Sequence, residues 1–184
     1  MATEPEMVTL EEAKEQVRRV SRRLGLLHIA FARTIVDELG EEPGKKLILK
    51  AIKAYSANIG EKAKGMALAE GLELIPQNFK SNLPMYGVHE RKESLIVEGE
   101  PHIQTYGCEM GKVWRDLNEG ELGQLYCYMD VFKYMAFNPE YKQCHEKLIC
   151  PDGYCELVVR KTTEQERHDF ASEDADLEYI DYHL

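Results

Sequence analysis

Between Tyr126 and Lys161 the chain changes its periodicity within one short stretch, YCYMDVFKYMAFNPEYKQCHEKLICPDGYCELVVRK. From Tyr126 to Met135 the apolar residues recur as on an amphipathic helix. From Gln143 to Ile149, and again from Tyr154 to Lys161, they read as strands around a Pro151-Asp152-Gly153 turn. Asp-Gly between two apolar runs is a strong hairpin signal. Asn138-Pro139 stands between the two patterns, and the residue before a proline leaves the helical region, so the helix must stop there. The stretch therefore predicts helix, turn and hairpin. It also holds Cys127, Cys144, Cys150 and Cys155, four of the five cysteines, with Asp130, Asn138 and His145 among them.

The rest of the chain supplies the layers around this unit. Thr9 followed by Glu12 is a capping-box signature. Leu10, Ala13, Val17, Val20, Leu24, Leu27, Phe31, Ile35 and Leu39 then form one apolar stripe of a long helix that Gly40 should end. Arg18, Arg19, Arg22 and Arg23 cluster on it, most simply as a solvated face. A second helix opens near Pro43, with Leu47, Ile48, Ala51, Ile52, Tyr55, Ile59, Ala63 and Met66 as its stripe, and runs to Gly71. Its many alanines and glycines permit close helix approach. Two long helices joined by so short a link should pack antiparallel. Residues 72–90 read as an irregular connector. Lys92–Glu98 and His102–Cys108 read as strands, and Gly111–Leu117 as a helix anchored by Trp114. The expected fold is α+β: two long N-terminal helices packed on a mostly antiparallel four-stranded sheet, with additional helices.

The chain has 184 residues and a formal net charge of -10, enough length to bury one sizeable core. We expect a single domain over residues 1–161 and an acidic C-terminal tail over 162–184, mostly solvated, in which Tyr179, Ile180 and Tyr182 are the residues able to dock. So acidic a chain argues against nucleic acid or an anionic membrane as its partner, because phosphate binding needs clustered Lys and Arg. No apolar run approaches the roughly 20 residues of a membrane span. The N-terminal residues carry no secretory signal pattern, so a cytoplasmic location is expected. Five cysteines in a reducing compartment predict free thiols. A homodimer through the first helix is a further expectation.

Three groups of residues carry possible chemistry. Cys127 and Asp130, three apart on a helix, share a face; one would attack and the other would position or deprotonate water. Cys108 ends a strand just before a helix, where the helix dipole lowers a thiol pKa. Asn138 either holds its turn or donates its amide to a developing negative charge. The bland alternatives are packed thiols and a capping aspartate. No phosphate-binding glycine loop and no serine-nucleophile elbow occurs, and the cysteine spacings give only weak support to a metal site.

The run KLILKAIKAYSANIGEKAKGMA, the strand end Gly107-Cys108, Y-C-x-x-D at Tyr126–Asp130, F-N-P at Phe137–Pro139 and the Lys147–Leu157 hairpin resemble the L-2-amino-thiazoline-4-carboxylic acid hydrolase-like family over roughly residues 15–161. The resemblance implies a hydrolase that opens a cyclic amidine-like thiazoline ring to N-carbamoyl-cysteine. It implies Cys108, Cys127, Asp130 and Asn138 as catalytic residues, Cys155, His89 and Trp114 as substrate-contacting ones, a small-molecule substrate and no cofactor. The chain departs from that pattern at Glu109, where proline is usual, and at Cys144, His145 and Cys150, which are extra. The hairpin also resembles the four-vinyl-reductase-type domain, which implies a non-catalytic small-molecule-binding or sensing module. A third reading is a thiolate metal site built from Cys108, Cys127, Cys150, Cys155 and a histidine.

Overall fold

The structure, a computed structural model, describes residues 7–81 and 83–181. Helix α1 (Leu10–Leu39) begins on the expected cap. Thr9 accepts from the Glu12 N–H, and the Glu12 carboxylate reaches back to the Thr9 N–H. Gly40, at φ 87°, ends α1 and is the one residue separating it from α2 (Glu41–Ala69). Four strands follow in two hairpins: β1 (Arg91–Val97) with β2 (Glu100–Tyr106), and β3 (Tyr141–Lys147) with β4 (Tyr154–Lys161). The sheet is antiparallel throughout, in the order β1-β2-β4-β3. Between β1 and β2, Glu98 and Gly99 both take positive φ, 50° and 89°, as a tight two-residue hairpin requires. Between the hairpins lie α3 (Glu109–Asp116), α4 (Gly120–Gln124), a 3₁₀ turn (Leu125–Cys127) and α5 (Tyr128–Phe137). A short turn of helix α6 (Ile149–Asp152) joins β3 to β4, and α7 (Glu164–Ala171) follows the sheet.

The long helices reach the sheet through an intermediate layer. α2 packs mainly on α5, α1 mainly on α3, and α5 on β3. The reason lies in α5, whose Tyr128, Val131, Phe132, Met135 and Phe137 are all buried; a helix apolar on most sides belongs in the middle. Glycine sets the approach. A Cβ on Gly60 of α2 would lie 2.3 Å from the Lys133 carbonyl oxygen of α5, and one on Gly25 of α1 would lie 3.1 Å from the Met110 Cα of α3.

Two expectations change. The apolar stripe read for α1 is not its packed face: Val20 is 64% exposed and Phe31 63%, while Ser21, Gly25, His28, Ile29, Ala32 and Val36 are buried. Small residues let backbones approach, and that closeness outweighs side-chain size here. Nor is the segment after Lys161 mostly solvated. Thr163 and Glu166 form a second capping box that starts α7, and Leu177, Ile180 and Asp181 are buried. Tyr182 lies outside the described residues. Among the described residues, no helix is long and apolar enough to cross a membrane.

Candidate functional site

The residue that organises the site is Cys108. The chain leaves β2 through Gly107, at φ 65°, where a Cβ would lie 2.4 Å from the Glu90 carboxyl carbon. Glycine adopts that backbone conformation without strain, while the Glu90 side chain is exposed and free to shift. Cys108 is then the N-cap of α3. Its side chain makes no capping hydrogen bond, but the Met110 and Gly111 N–H groups beside it act to lower the thiol pKa, as the helix-end reading expects. Burial nevertheless outweighs those two donors, and with Asp130 and Glu109 nearby it raises the thiol pKa. The resting thiol is therefore protonated, the reverse of what the helix dipole alone suggests.

The connector before β1 is laced to this segment on both sides of His89. The Glu109 N–H donates to the Val88 carbonyl at 3.0 Å, and the Glu90 N–H donates to the Tyr106 carbonyl at 2.9 Å. A proline at position 109 has no N–H and could not make the first of these bonds. His89 is half-buried and lies within the field of Asp130, Lys92 and Lys133. Burial lowers its pKa, which leaves a neutral imidazole at neutral pH.

Cys127 ends the 3₁₀ turn that leads into α5. Burial, with Cys155, Cys108, Asp130 and Asp181 around it, raises its thiol pKa well above the ordinary value. Cys155 on β4 adds a third thiol, pushed up to about 12 chiefly by burial; the Ile149 N–H and the Thr105 hydroxyl oppose that shift. Thr105 is the cross-strand partner of Cys155, and its buried hydroxyl has no oxygen or nitrogen partner. Three thiols and one carboxylate from four elements thus lie within one another's fields.

The carboxylate is Asp130, in the first turn of α5. Burial works to raise its pKa, but the Lys133 ammonium one helical turn on and the His145 ring override it. Together they hold the carboxyl well below the usual range. His145 Nε2 lies 3.5 Å from Asp130 Oδ2. Its Nδ1 lies 2.7 Å from Asp181 Oδ2, and its backbone N–H donates to Asp181 Oδ1 at 2.9 Å. Burial lowers the His145 pKa, the two carboxylates raise it, and the net value is about 9. An imidazolium therefore stands between two carboxylates at neutral pH.

The remaining expected site residues lie elsewhere. Asn138 caps the far end of α5, roughly 12 Å along the axis from Asp130. Its amide donates to the Leu74 carbonyl at 2.7 Å, and its oxygen accepts from the Glu140 N–H at 3.0 Å. Trp114 is fully buried, with Nε1 donating to the Gly25 carbonyl at 3.3 Å and its ring against His28 and Tyr126. It anchors the core and does not join the thiol group, because the indole is used to seat α3 on α1. Cys144 is buried among Lys142, Asp181, Arg160 and Glu166, and its thiol is raised to about 12 mainly by burial. Among the described residues, no three His, Cys, Asp or Glu side chains are grouped to hold a metal ion. His145 and Lys133 were not expected in the site. The Asp130-to-Lys133 spacing on one helix face was the available signal for Lys133. Nothing in the sequence pointed to Asp181.

A cleft of about 350 Å³ between α2 and the segment before β1 is lined by Tyr55, Asn58, Ile59, Lys62, Met66 and Leu83, among others. The Tyr126 hydroxyl donates to that of Tyr55 at 3.4 Å, and Tyr126 is in turn within the field of Asp130.

The fold and this arrangement define a helix-on-sheet α+β protein with a group of thiols, a half-buried carboxylate and a buried imidazole. The family model described as L-2-amino-thiazoline-4-carboxylic acid hydrolase matches residues 18–156. The chain belongs to that family. The match takes in Cys108, Cys127, Asp130, His145 and Cys155 and stops short of α7 and Asp181. Neither the curated proteins nor the solved structures give a match.

Proposed function

We propose that the protein is a cysteine-dependent hydrolase of a small cyclic amidine of the 2-amino-thiazoline-carboxylate kind. One observation carries the reading. The cysteine at the N-terminus of α3 and the neutral, half-buried His89 imidazole both lie in the field of one ionised carboxylate, Asp130. Cys108 is the attacking thiol in this reading. Burial raises the Cys127 thiol further, well above the ordinary value, and the groups around it add to that shift.

The Cys108 thiol adds to the ring carbon between sulfur and nitrogen, and its proton passes to His89. The carbon–ring-sulfur bond breaks, the ring sulfur takes a proton, and the opened substrate stays on the enzyme as an isothiourea. Water, held by Asp130, attacks the same carbon. The carbon–Cys108 bond then breaks, the thiol recovers its proton, and a carbamoylated aminothiol leaves. The net change is addition of one water. The Met110 and Gly111 N–H groups stabilise the charge that Cys108 carries as it enters and leaves.

The thiazoline carboxylate itself is the direct probe. Acid-quenched mixtures analysed by mass spectrometry should show a substrate-derived adduct on the peptide containing Cys108. Turnover with no adduct, unchanged in Cys108→Ser, would remove the covalent route. A second reading, a binding module without turnover, draws support from the protonated resting thiols. Thermal stabilisation by the same compound without product would favour it.

A further inference from the structure

The residues beyond the family match are attached to the body by an ordered set of contacts. Lys46, Lys50 and Lys53 recur on one face of α2. They meet Asp176 at 3.2 Å, Asp174 at 3.8 Å and the Ser172 carbonyl oxygen at 2.7 Å. The Lys142 ammonium of β3 donates to the Ile180 carbonyl at 2.8 Å, and the Tyr128 hydroxyl donates to that of Glu178. Leu177 and Ile180 enter the main core. The strap ends, within the described residues, on Asp181, which is 1% exposed.

Asp181 does more there than fill space. β3 is an edge strand, and the His145 N–H would otherwise be an open ladder group. One carboxylate oxygen takes that N–H and the other takes ring Nδ1, so a single side chain fixes both the backbone and the ring of His145. A ring held at Nδ1 has its other nitrogen committed to one direction, and that direction is Asp130.

We propose that Asp181 is a positioning residue of the active site: supplied by the C-terminal strap, it clamps His145 so that His145 holds the Asp130 carboxylate in place for water. The proposal rests on the reading of Cys108 and Asp130 as reacting groups. The strap is then a working part of the enzyme. The charged groups that act on the His145 ring are Asp130 from α5, itself paired with Lys133, and Asp181 from the strap; Cys127, before α5, lies in the field of both carboxylates. The cross-strand neighbour of His145 on β4 is Leu157.

The experiment is a side-chain NMR titration of His145 beside steady-state kinetics, in the full chain, for wild type, Asp181→Asn and Asp181→Glu. In Asp181→Asn the His145 midpoint should fall by about one pH unit or more. There kcat should drop on the order of tenfold or more with little change in KM, and Asp181→Glu should recover part of both. Should Asp181→Asn not fold, the double variant Lys46→Ala/Lys50→Ala, which loosens the strap away from the site, takes its place. Its His145 midpoint and kcat should fall in the same direction as in Asp181→Asn but by less, and should depend on salt less than in wild type, whose exposed strap ion pairs salt screens. An unmoved His145 titration in Asp181→Asn, or in the lysine double variant at any salt concentration, would overturn the proposal. If wild type leaves the thiazoline ring intact, the functional reading fails while the titration still judges the clamp. If Cys108-dependent turnover is present and Asp181→Asn matches wild type in both readouts, the clamp alone is wrong.

Discussion

The two ends of α5 carry the same kind of residue to opposite effect. At its start, Asp130 faces His145, Lys133 and three thiols, and 24% of its side chain remains accessible. At its close, Asn138 is taken up by the Leu74 carbonyl and the Glu140 N–H, and it serves the turn that the following proline demands. Both are polar, both sit in short motifs, and both look equally capable of chemistry in the sequence. The difference is whether the fold itself uses the hydrogen-bonding capacity. At the Asn138 end it does. At the Asp130 end the partners are ionisable groups whose balance a substrate can shift.

The largest expected effect breaks that comparison directly. Asp130→Asn leaves the Lys133 ammonium and the His145 imidazolium without their shared counter-charge. Removing one partner of a buried ionic set costs about 3–5 kcal/mol, and loss of the group that holds water lowers turnover by about 10²–10⁴-fold. Urea unfolding and steady-state rates of the purified variant measure the two separately. Wild-type stability and rate in Asp130→Asn would place the reactive end of α5 elsewhere.

Alkaline pH gives the next effect. His145 titrates near its ordinary 6.5 when unfolded and at about 9 when folded. The stabilisation is therefore fully present below about 6.5 and is lost as pH rises through about 9. That difference corresponds to roughly 3 kcal/mol. Asp130, held below the usual carboxylate range, acts in the opposite sense: its stabilisation is present above about 4 and lost only in strong acid. Chemical denaturation at closely spaced pH values should show the alkaline fall in wild type and a flattened profile in Asp181→Asn. Parallel curves for the two proteins would contradict the imidazolium at the centre of the cluster.

The smallest effect sits at the other end of the helix. Asn138→Ala removes two hydrogen bonds to backbone groups, at about 1–3 kcal/mol, and should leave the rate per folded molecule unchanged. A rate loss well beyond the loss of folded protein would return Asn138 to the chemistry.

Much of the architecture was legible because it depends on local rules. The Thr9–Glu12 capping box, the Gly40 stop and the proline after Asn138 all act within a few residues, and each stands where its rule puts it; the Asp152-Gly153 pair lies between the strands of its hairpin, but as the end of the helical turn Ile149–Asp152 and not as a two-residue turn. The packed face of α1 was not legible. Leu27 and Phe31 outrank Gly25 and Ala32 in apolarity, but the choice between faces is made by Met110 and Trp114 on α3, far along the chain. The same limit governs the site. Cys127 and Asp130 are neighbours by helical spacing, whereas His145 joins them only through strand pairing and Asp181 only through a strap that wraps back across α2. The thiol of Cys108 shows how a local rule can be right in kind and still be outweighed. The helix-end donors are present, but burial acts on the thiol more strongly than they do.

The central claim is that Cys108 attacks a small cyclic amidine, and one assay meets it head on. The thiazoline carboxylate carries no free thiol and its opened product carries one, so thiol release can be followed continuously with wild type, Cys108→Ser and Cys127→Ser. Release should be rapid with wild type, should fall by about 10³-fold or more in Cys108→Ser, and should persist in Cys127→Ser. Equal release by wild type and Cys108→Ser, or none from folded wild-type protein, would contradict it.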